Sequence, residues 1–159
     1  KALGMELVAW SPNMTAETAA ASGATLVDKE TLFRTSDVVS LHLVLGERSR
    51  HIVGAREFDW MQGHAVLVNT SRGPLIDENA MIAAMQARKI ASVALDVYDV
   101  EPLPKDHPLR ALDNVVLSPH QGFVTRDVYT TWYGDTVENI RAFLAGAPIR
   151  VLNAGVLKA

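Results

Sequence analysis

The stretch AVLVNTSRGPLID, residues Ala65–Asp77, joins an apolar run to a polar turn and the start of a helix. The apolar run predicts a strand, and the Gly73-Pro74 pair directly after Arg72 predicts a turn. In open α/β sheets, ligands bind outside the carboxyl ends of the strands. An arginine held there suits a carboxylate or phosphate, because its planar guanidinium makes paired hydrogen bonds that lysine cannot. A surface arginine in a tight turn is the equally simple alternative.

Apolar runs of strand length alternate with helical patterns along the rest of the chain. The predicted strands are Leu7–Trp10, Val38–Leu45, Val66–Val68, Val93–Val97 and Val115–Leu117. The predicted helices are Ala16–Ser22, Thr31–Thr35, Glu57–Gln62, a helix that starts at Asp77 and has Arg88 and Lys89 in its last turn, and Thr125–Ala145. The almost unbroken run Val38–Leu45 is typical of a strand covered on both faces. Met81 and Met85 share a helical face and are expected in the core. This alternation predicts an α/β fold with a doubly wound parallel sheet.

Composition limits the classes of protein to which the chain can belong. Its 159 residues are 48% hydrophobic, which suffices for one core, so we expect one domain or most of one. The net charge of -3, with 15 lysines and arginines spread along the chain, argues against a nucleic-acid partner. No apolar run approaches the roughly 20 residues that a membrane helix needs, so no membrane partner is expected. There is no cysteine and the histidines lack metal-ligand spacing, so we expect no disulfide and no metal site.

A phosphate-binding segment is missing from the sequence. Dinucleotide-binding sheets open with a strand, a glycine-rich turn and a helix whose N-terminus holds the pyrophosphate. No G-x-G-x-x-G segment occurs here, and residues 1–4 resemble the end of such a helix. We therefore expect the chain to begin inside a nucleotide-binding domain, without its first strand, glycine-rich turn and helix.

Ionisable side chains follow three of the predicted strands. Arg72 follows the central strand, Asp96, Asp99 and Glu101 lie in and after the next, and His120 follows the last. Together, an arginine, a glutamate and a histidine suit chemistry on a hydroxy or keto acid. The arginine pairs with the carboxylate, the histidine exchanges a proton with the hydroxyl or carbonyl oxygen, and the glutamate orients the imidazole. Hydride then needs an acceptor, which implies a nicotinamide cofactor.

Each of these residues also has a plain structural interpretation. Glu101 is also explained as a solvated loop acid, and His120 as a loop histidine bonded to backbone. Asp96 is harder to explain in this way, because an acid in an apolar strand is seldom buried without a partner. The histidines interpreted as surface residues are His51, His64 and His107.

The segments LVNTSRGPLIDE, ALDVYDVEPLPKDHPL and LSPHQG, in this order, resemble the D-isomer-specific 2-hydroxyacid dehydrogenases. That family includes glyoxylate/hydroxypyruvate reductases and phosphoglycerate dehydrogenases, and the similarity covers nearly the whole chain. It implies a partial Rossmann-type NAD(P)-binding domain over residues 1–123. A C-terminal helix and tail, residues 124–159, would then return toward an absent substrate domain. The resemblance also implies a cytoplasmic enzyme, homodimeric when complete, that transfers hydride between NAD or NADP and a D-2-hydroxy acid or 2-oxo acid.

The same resemblance implies roles for individual residues. Arg72 binds the substrate carboxylate, His120 is the acid/base, and Glu101 is the partner of His120. The residues that it places at the cofactor are Ser11, Leu43, Thr70, Ser71, Arg72, Asp96, His120 and Gly122. NAD-preferring members usually carry an acid where this chain has Ser11, and no arginine stands nearby, so NAD and NADP both stay open.

Two other functions stay open beside the enzyme. One is a non-catalytic, NAD(H)-sensing binding protein on the same scaffold, such as the family's transcriptional co-repressors. The other is an inactive fragment, since the chain alone lacks the glycine-rich turn and is expected not to turn over. Reductase turnover by the complete protein separates the enzyme from the sensor.

Overall fold

A computed structural model describes residues 1–156 of the chain. They fall into two compact units, one of residues 1–122 and one that begins at residue 123. The predicted C-terminal tail extends to residue 159, and its residues 157–159 lie outside the described residues. No helix within residues 1–156 is long and apolar enough to cross a membrane.

Strands and helices alternate through the first unit. The strands are β1 (Val8–Ala9), β2 (Thr25–Leu26), β3 (Val38–Leu41), β4 (Val66–Asn69), β5 (Ser92–Leu95) and β6 (Val115–Leu117). The helices are α1 (Ala16–Ala21), α2 (Lys29–Thr35), α3 (Ala55–Trp60) and α4 (Glu78–Gln86). Short 3-10 turns occur at Gly73–Leu75 and Pro108–Ala111.

The strands of the first unit form two parallel sheets. The larger has the order β3-β4-β5-β6, and the smaller is the pair β1-β2. Val66 of β4 aligns with Val38 on one side and with Ser92 on the other, so β4 is an inner strand. Parallel neighbours need crossover connections, and α3 and α4 supply those on either side of β4. The predicted α/β fold with a parallel sheet is confirmed.

The core lies along β4, β5 and the helix between them. Leu67 and Val93 are opposite each other in neighbouring strands, and both are 0% exposed. Met81 and Met85 of α4 belong to the same buried cluster, which confirms their predicted place in the core. Because these strands are packed along their length, the loops at their carboxyl ends start from fixed positions.

Helix α4 ends earlier than predicted. Its last residue is Gln86, so Arg88 and Lys89 lie beyond the helix and not in its last turn. Arg88 has a φ of 50°, a left-handed conformation that ends a helix. Arg88 binds Asp113 at 2.9 Å, and Lys89 binds Asp59. The prediction was wrong because the helix ends just before the left-handed Arg88, and both cations pair with carboxylates of other segments.

Strand β3 is shorter and less covered than predicted. Val39 and Leu41 are buried, but Val38 is 48% exposed and Ser40 is also exposed. Among the described residues, β3 pairs only with β4, and β1 pairs only with β2. The prediction of two covered faces was wrong because only the face with Val39 and Leu41 packs on the core of the first unit, while the face with Val38 and Ser40 is exposed.

The sequence pattern did not predict β2. Thr25 and Leu26 pair with Val8 and Ala9 of β1, shortly after Gly23 ends α1 with a φ of 73°. A strand of two residues is too short to show the alternation by which strands are recognised. Its formation depends on the partner strand and not on its own sequence.

The second unit contains α5 (Arg126–Leu144). The hydroxyl of Thr125 accepts the backbone N–H of Val128 at 3.2 Å and so caps the first turn. Gly146, with a φ of 74°, follows the end of the helix. These bounds lie within one residue of the predicted ones, because both ends carry their own local signals.

Candidate active site

The carboxyl ends of β4, β5 and β6 lie side by side. Asn69 aligns with Leu95, and Leu95 aligns with Leu117. The loops that follow these strands carry, in order, Arg72, Glu101 and His120. The structure therefore brings the three predicted catalytic residues to one edge of the sheet.

Glu101 and His120 are in direct contact. Oε2 of Glu101 lies 2.6 Å from Nδ1 of His120, and Oε1 accepts the backbone N–H of Tyr98 at 2.9 Å. Burial raises the pKa of Glu101, but the hydrogen bonds from His120 and Tyr98 outweigh it. The positive charge of Arg72 adds to their effect, and the pKa of Glu101 lies below its usual value. The glutamate is thus a carboxylate at neutral pH, so Nδ1 carries a proton toward it and Nε2 is the nitrogen suited to proton exchange.

The turn that carries Arg72 is built by Asn69. This side chain is 0% exposed, and its Nδ2 donates to the Arg72 carbonyl at 2.9 Å while its Oδ1 accepts the Ser71 N–H at 3.1 Å. Arg72 itself is exposed, and its Nη1 donates to the Ser71 carbonyl at 2.6 Å. Sequence reasoning missed Asn69, although a buried amide at a strand end is a signal for such a role, because it must be hydrogen-bonded.

Gly73 allows the Arg72 turn to pack against the loop of Glu101. A Cβ atom on Gly73 would overlap the backbone atoms of Tyr98 and Asp99. Backbone atoms cannot move aside as the end of a flexible side chain can. The two segments therefore meet backbone to backbone, and only glycine fits between them.

Asp96 holds the loop that presents His120. Its carboxylate is 7% exposed, with Oδ1 accepting the Gln121 N–H and Oδ2 the Gly122 N–H, both at 2.9 Å. His120 has a φ of 52°, an uncommon conformation for a residue with a side chain, and these two bonds follow it directly. Burial favours the neutral acid, but hydrogen bonds from the Ser118 hydroxyl and the two backbone N–H groups outweigh it. The pKa of Asp96 therefore lies below its usual value.

Two of the predicted cofactor residues, Ser71 and Leu43, are in contact. The Ser71 hydroxyl donates to the Leu43 carbonyl at 2.8 Å. Leu43 and Ser11 line one groove of about 370 Å³, whose walls come from β1, α2 and β3. Thr70 and Gly122 are exposed, Thr70 beside Ser71 and Gly122 in the His120 loop. Cofactor contact by these residues, and by Asp96, stays a prediction.

Lys29 lines the same groove and was not found from the sequence. Its Nζ lies 2.6 Å from Oε1 of Glu57 and 5.8 Å from the centre of the Trp10 ring. Glu57 is 7% exposed, and its other oxygen accepts the Gly54 N–H at 2.8 Å. Nothing in the local sequence connects this lysine with Ser11, because the fold alone brings α2 beside the end of β1.

Two of the three histidines interpreted from the sequence as surface residues are exposed. His51 is exposed, and His64 is an exposed residue 2.7 Å from Asp37. The interpretation is wrong for His107, whose side chain is 14% exposed and lies 3.1 Å from Oε1 of Glu78. Within residues 1–156, no group of three or more histidines and acids gathers in an arrangement that could hold a metal ion.

A family model described as the NAD binding domain of D-isomer specific 2-hydroxyacid dehydrogenases matches residues 1–122. The chain belongs to this family. The resemblance inferred from the sequence motifs is thereby confirmed, and the parallel sheet is that of an NAD-binding, Rossmann-type domain.

Named relatives of the chain agree with this placement. A glyoxylate reductase from Aeropyrum pernix is 39% identical over 99% of this chain and 48% of its own length. The structure of an oxidoreductase from Ralstonia solanacearum matches with a TM-score of 0.89 and 34% identity, over 99% of this chain and 46% of that one. The structure of a D-lactate dehydrogenase with NAD⁺ from Lactobacillus jensenii matches with a TM-score of 0.75 and 25% identity, over 94% of this chain and 48% of that one. The chain thus spans about half the length of each of these dehydrogenase-family relatives.

Gly73→Ala should separate the Arg72 turn from the Glu101 loop, because the added methyl group has no space. We expect the free energy of unfolding to fall by about 1–3 kcal/mol, as for other overpacked sites. Gly63→Ala is the matched control, because a Cβ there meets nothing within 4 Å. Urea unfolding of the two variants measures the difference, and equal stabilities would show that Gly73 is not a close-contact residue.

Asp96→Asn should lower the free energy of unfolding by about 1–3 kcal/mol at neutral pH. An amide has one acceptor oxygen where the carboxylate has two, so one N–H of Gln121 or Gly122 loses its partner. Urea unfolding of the variant and of the unsubstituted protein at pH 7 measures this loss.

The loss should also depend on pH, and its sign follows from the lowered pKa of Asp96. A carboxylate with a lower pKa in the folded state stabilises the fold above the pKa that it has when unfolded. That contribution is lost as the pH falls through the folded-state value. The stability difference between the two proteins should therefore be largest at pH 7 and shrink below about pH 4. A difference that stays constant from pH 7 to pH 3 contradicts the role given to the charge.

Proposed function

We propose that this chain is the larger part of the nucleotide-binding domain of a dehydrogenase that transfers hydride between NAD(P) and a D-2-hydroxy acid or 2-oxo acid. One observation carries the proposal, which is the 2.6 Å contact between Glu101 and His120 at the edge where Arg72 emerges. A carboxylate on Nδ1 orients the imidazole and leaves Nε2 for proton exchange. Membership of a dehydrogenase family supports the same reaction class.

In the direction of reduction, each of the three residues has one task. The Arg72 guanidinium pairs with the carboxylate of the 2-oxo acid and fixes its orientation. Protonated His120 gives its Nε2 proton to the carbonyl oxygen, which becomes the hydroxyl. Glu101 accepts the Nδ1 proton in a hydrogen bond and so keeps the ring oriented. In oxidation, neutral His120 takes the hydroxyl proton. A bound nicotinamide supplies or accepts the hydride.

The groove beside β1 and β3 suits the nucleotide end of the cofactor. Its walls are largely apolar, and Ser11 offers a hydroxyl at the end of β1 for a ribose oxygen. Ser11 carries no charge that would repel a 2′-phosphate, and Lys29 adds a cation to the same groove. Because Lys29 is paired with Glu57, its charge alone does not select a 2′-phosphate. We include NADP beside NAD in the proposal because Ser11 leaves both cofactors possible.

The domain is completed, in this proposal, by a further strand between β1 and β3. Both strands have an unpaired edge among the described residues, and both line the groove. The first strand of a dinucleotide-binding sheet leads into the glycine-rich turn that holds the pyrophosphate. No such turn is present in the 159 residues. The relatives are about twice as long as this chain, which leaves ample length for the missing elements.

The second unit is assigned to the connection with the substrate domain. None of the residues of α5 is buried. Its exposed apolar side chains are Tyr129, Trp132, Tyr133, Val137, Ile140, Phe143 and Leu144. An apolar helix surface of this extent normally packs against another element. We propose that the substrate domain of the complete enzyme covers it.

His120→Ala in the complete enzyme should lower kcat for 2-oxo acid reduction about 100-fold to 10,000-fold, because the proton donor is removed. Arg72→Ala should chiefly raise KM for the 2-oxo acid, because the carboxylate loses its paired hydrogen bonds. Steady-state kinetics with glyoxylate and a reduced nicotinamide cofactor measure both effects. His64→Ala is the matched control, because it removes an exposed histidine outside the site. Near-normal turnover of the His120 variant contradicts the assignment.

The isolated 159-residue chain should show no saturable binding of NADH or NADPH at micromolar concentrations, because the turn for the pyrophosphate is absent. The complete enzyme should bind at least one of the two. Titration of nicotinamide fluorescence, or calorimetry, measures both proteins side by side. Saturable binding by the isolated chain would mean that the nucleotide site is already complete within it.

A further inference from the structure

The loop that carries Glu101 has no regular secondary structure. This Glu101 loop, residues 96–107, connects β5 to the 3-10 turn Pro108–Ala111. Near its start, Tyr98 donates its N–H to Glu101 and its hydroxyl to the Ser118 carbonyl at 2.8 Å. The last residue of the loop is His107. The position of Glu101 therefore depends on how both ends of the loop are held.

His107 holds the end of the loop through both ring nitrogens. Nδ1 accepts the backbone N–H of Leu109 at 3.3 Å. Since Nδ1 is an acceptor, the neutral ring carries its proton on Nε2, which donates to Oε1 of Glu78 at 3.1 Å. The two side chains are only 14% and 23% exposed, so water competes weakly for this bond.

Glu78 lies beneath the loop, at the start of α4. It lines a small cavity together with Gly73, Tyr98 and Asp99. Burial, and then the charge of Glu78 in the same cavity, raises the pKa of Asp99. Glu78 also follows Arg72 on the same segment, after the short turn Gly73–Leu75. The bond between Glu78 and His107 therefore joins the Glu101 loop to the segment that carries Arg72.

We propose that Glu78 and His107 are positioning residues of the reaction. Their hydrogen bond sets the Glu101 loop, and through Glu101 the imidazole of His120, relative to the guanidinium of Arg72. This inference rests on the proposed dehydrogenase function. Without the bond, the loop keeps its anchor at Tyr98 but can shift at the other end. Misplacement of a catalytic group by about 1 Å can cost roughly 100-fold in rate.

Arg110 also holds the Glu101 loop, so the loop can stay folded without the bond between Glu78 and His107. Arg110 donates from Nε to the Pro104 carbonyl and from Nη2 to the Leu103 carbonyl, both at 2.8 Å. Loss of the bond from His107 should therefore change the position of the loop and not unfold it. A role in positioning can thus be separated from a role in stability alone.

The test compares Glu78→Ala, His107→Ala and Glu78→Gln in the complete enzyme, with glyoxylate as substrate. Each alanine variant should lower kcat about tenfold, while KM for glyoxylate and Kd for the reduced cofactor change less than about threefold. Glu78→Gln should recover most of kcat, because its amide oxygen still accepts the Nε2 proton of His107. His64→Ala, which removes the exposed pair with Asp37, is the matched control and should leave kcat unchanged.

The same substitution in a Glu101→Gln enzyme tests whether the effect is purely structural. In a Glu101→Gln enzyme the pair has lost the group through which it acts, so adding Glu78→Ala should lower kcat by less than about twofold. Equal losses in both backgrounds, or a lower Tm with unchanged kcat, overturn the inference. Absence of 2-oxo acid reduction by the unsubstituted enzyme overturns the proposed function, and this inference with it. Turnover by that enzyme with unchanged kcat in both alanine variants overturns this inference alone.

Discussion

The candidate active site depends on the hydrogen bonds that the buried carboxylate of Asp96 accepts. A charge that is 7% exposed is stable only when its oxygens are hydrogen-bonded, and the N–H groups of Gln121 and Gly122 meet that need. The same residue begins the Glu101 loop. Both halves of the Glu101–His120 pair are therefore held from one position at the end of β5. The left-handed backbone of His120 is tolerated because the bonds that follow it leave the loop little alternative.

The sequence could predict those features that arise from neighbouring residues or from strand order. The parallel sheet, the buried face of α4 with Met81 and Met85, and the bounds of α5 all follow from local periodicity and caps. The meeting of Glu101 with His120 follows from the rule that the carboxyl ends of parallel strands share an edge. The catalytic and cofactor roles of these residues remain predictions, since contact with substrate or cofactor is a property of the complete enzyme.

Apart from Asn69, whose partners are two and three residues away, the features that sequence reasoning missed depend on residues distant along the chain. β2 exists only because β1 pairs with it, and Lys29 reaches the groove of Ser11 only through the fold. Arg88 and Lys89 were predicted in the last turn of a helix, but their carboxylate partners lie 25 and 30 residues away along the chain. His107 was interpreted as a surface residue because nothing near it in the sequence indicates Glu78. Ion pairs between distant segments do not produce a periodic pattern in the sequence, so they are found only in the folded chain.

The order of the strands sets the distance between the bases of the loops that carry the site. Arg72 follows β4 and His120 follows β6, with β5 between them. Neighbouring strands lie about 4.8 Å apart, so the bases of the two loops stand roughly 10 Å apart. Backbone hydrogen bonds maintain that distance, and side-chain substitutions cannot stretch it. For the proposed reaction, this spacing sets the distance from which the two loops place the guanidinium and the imidazole around the substrate. Loops of different conformation on the same sheet would therefore change where the guanidinium and the imidazole lie, while the distance between the loop bases stays the same.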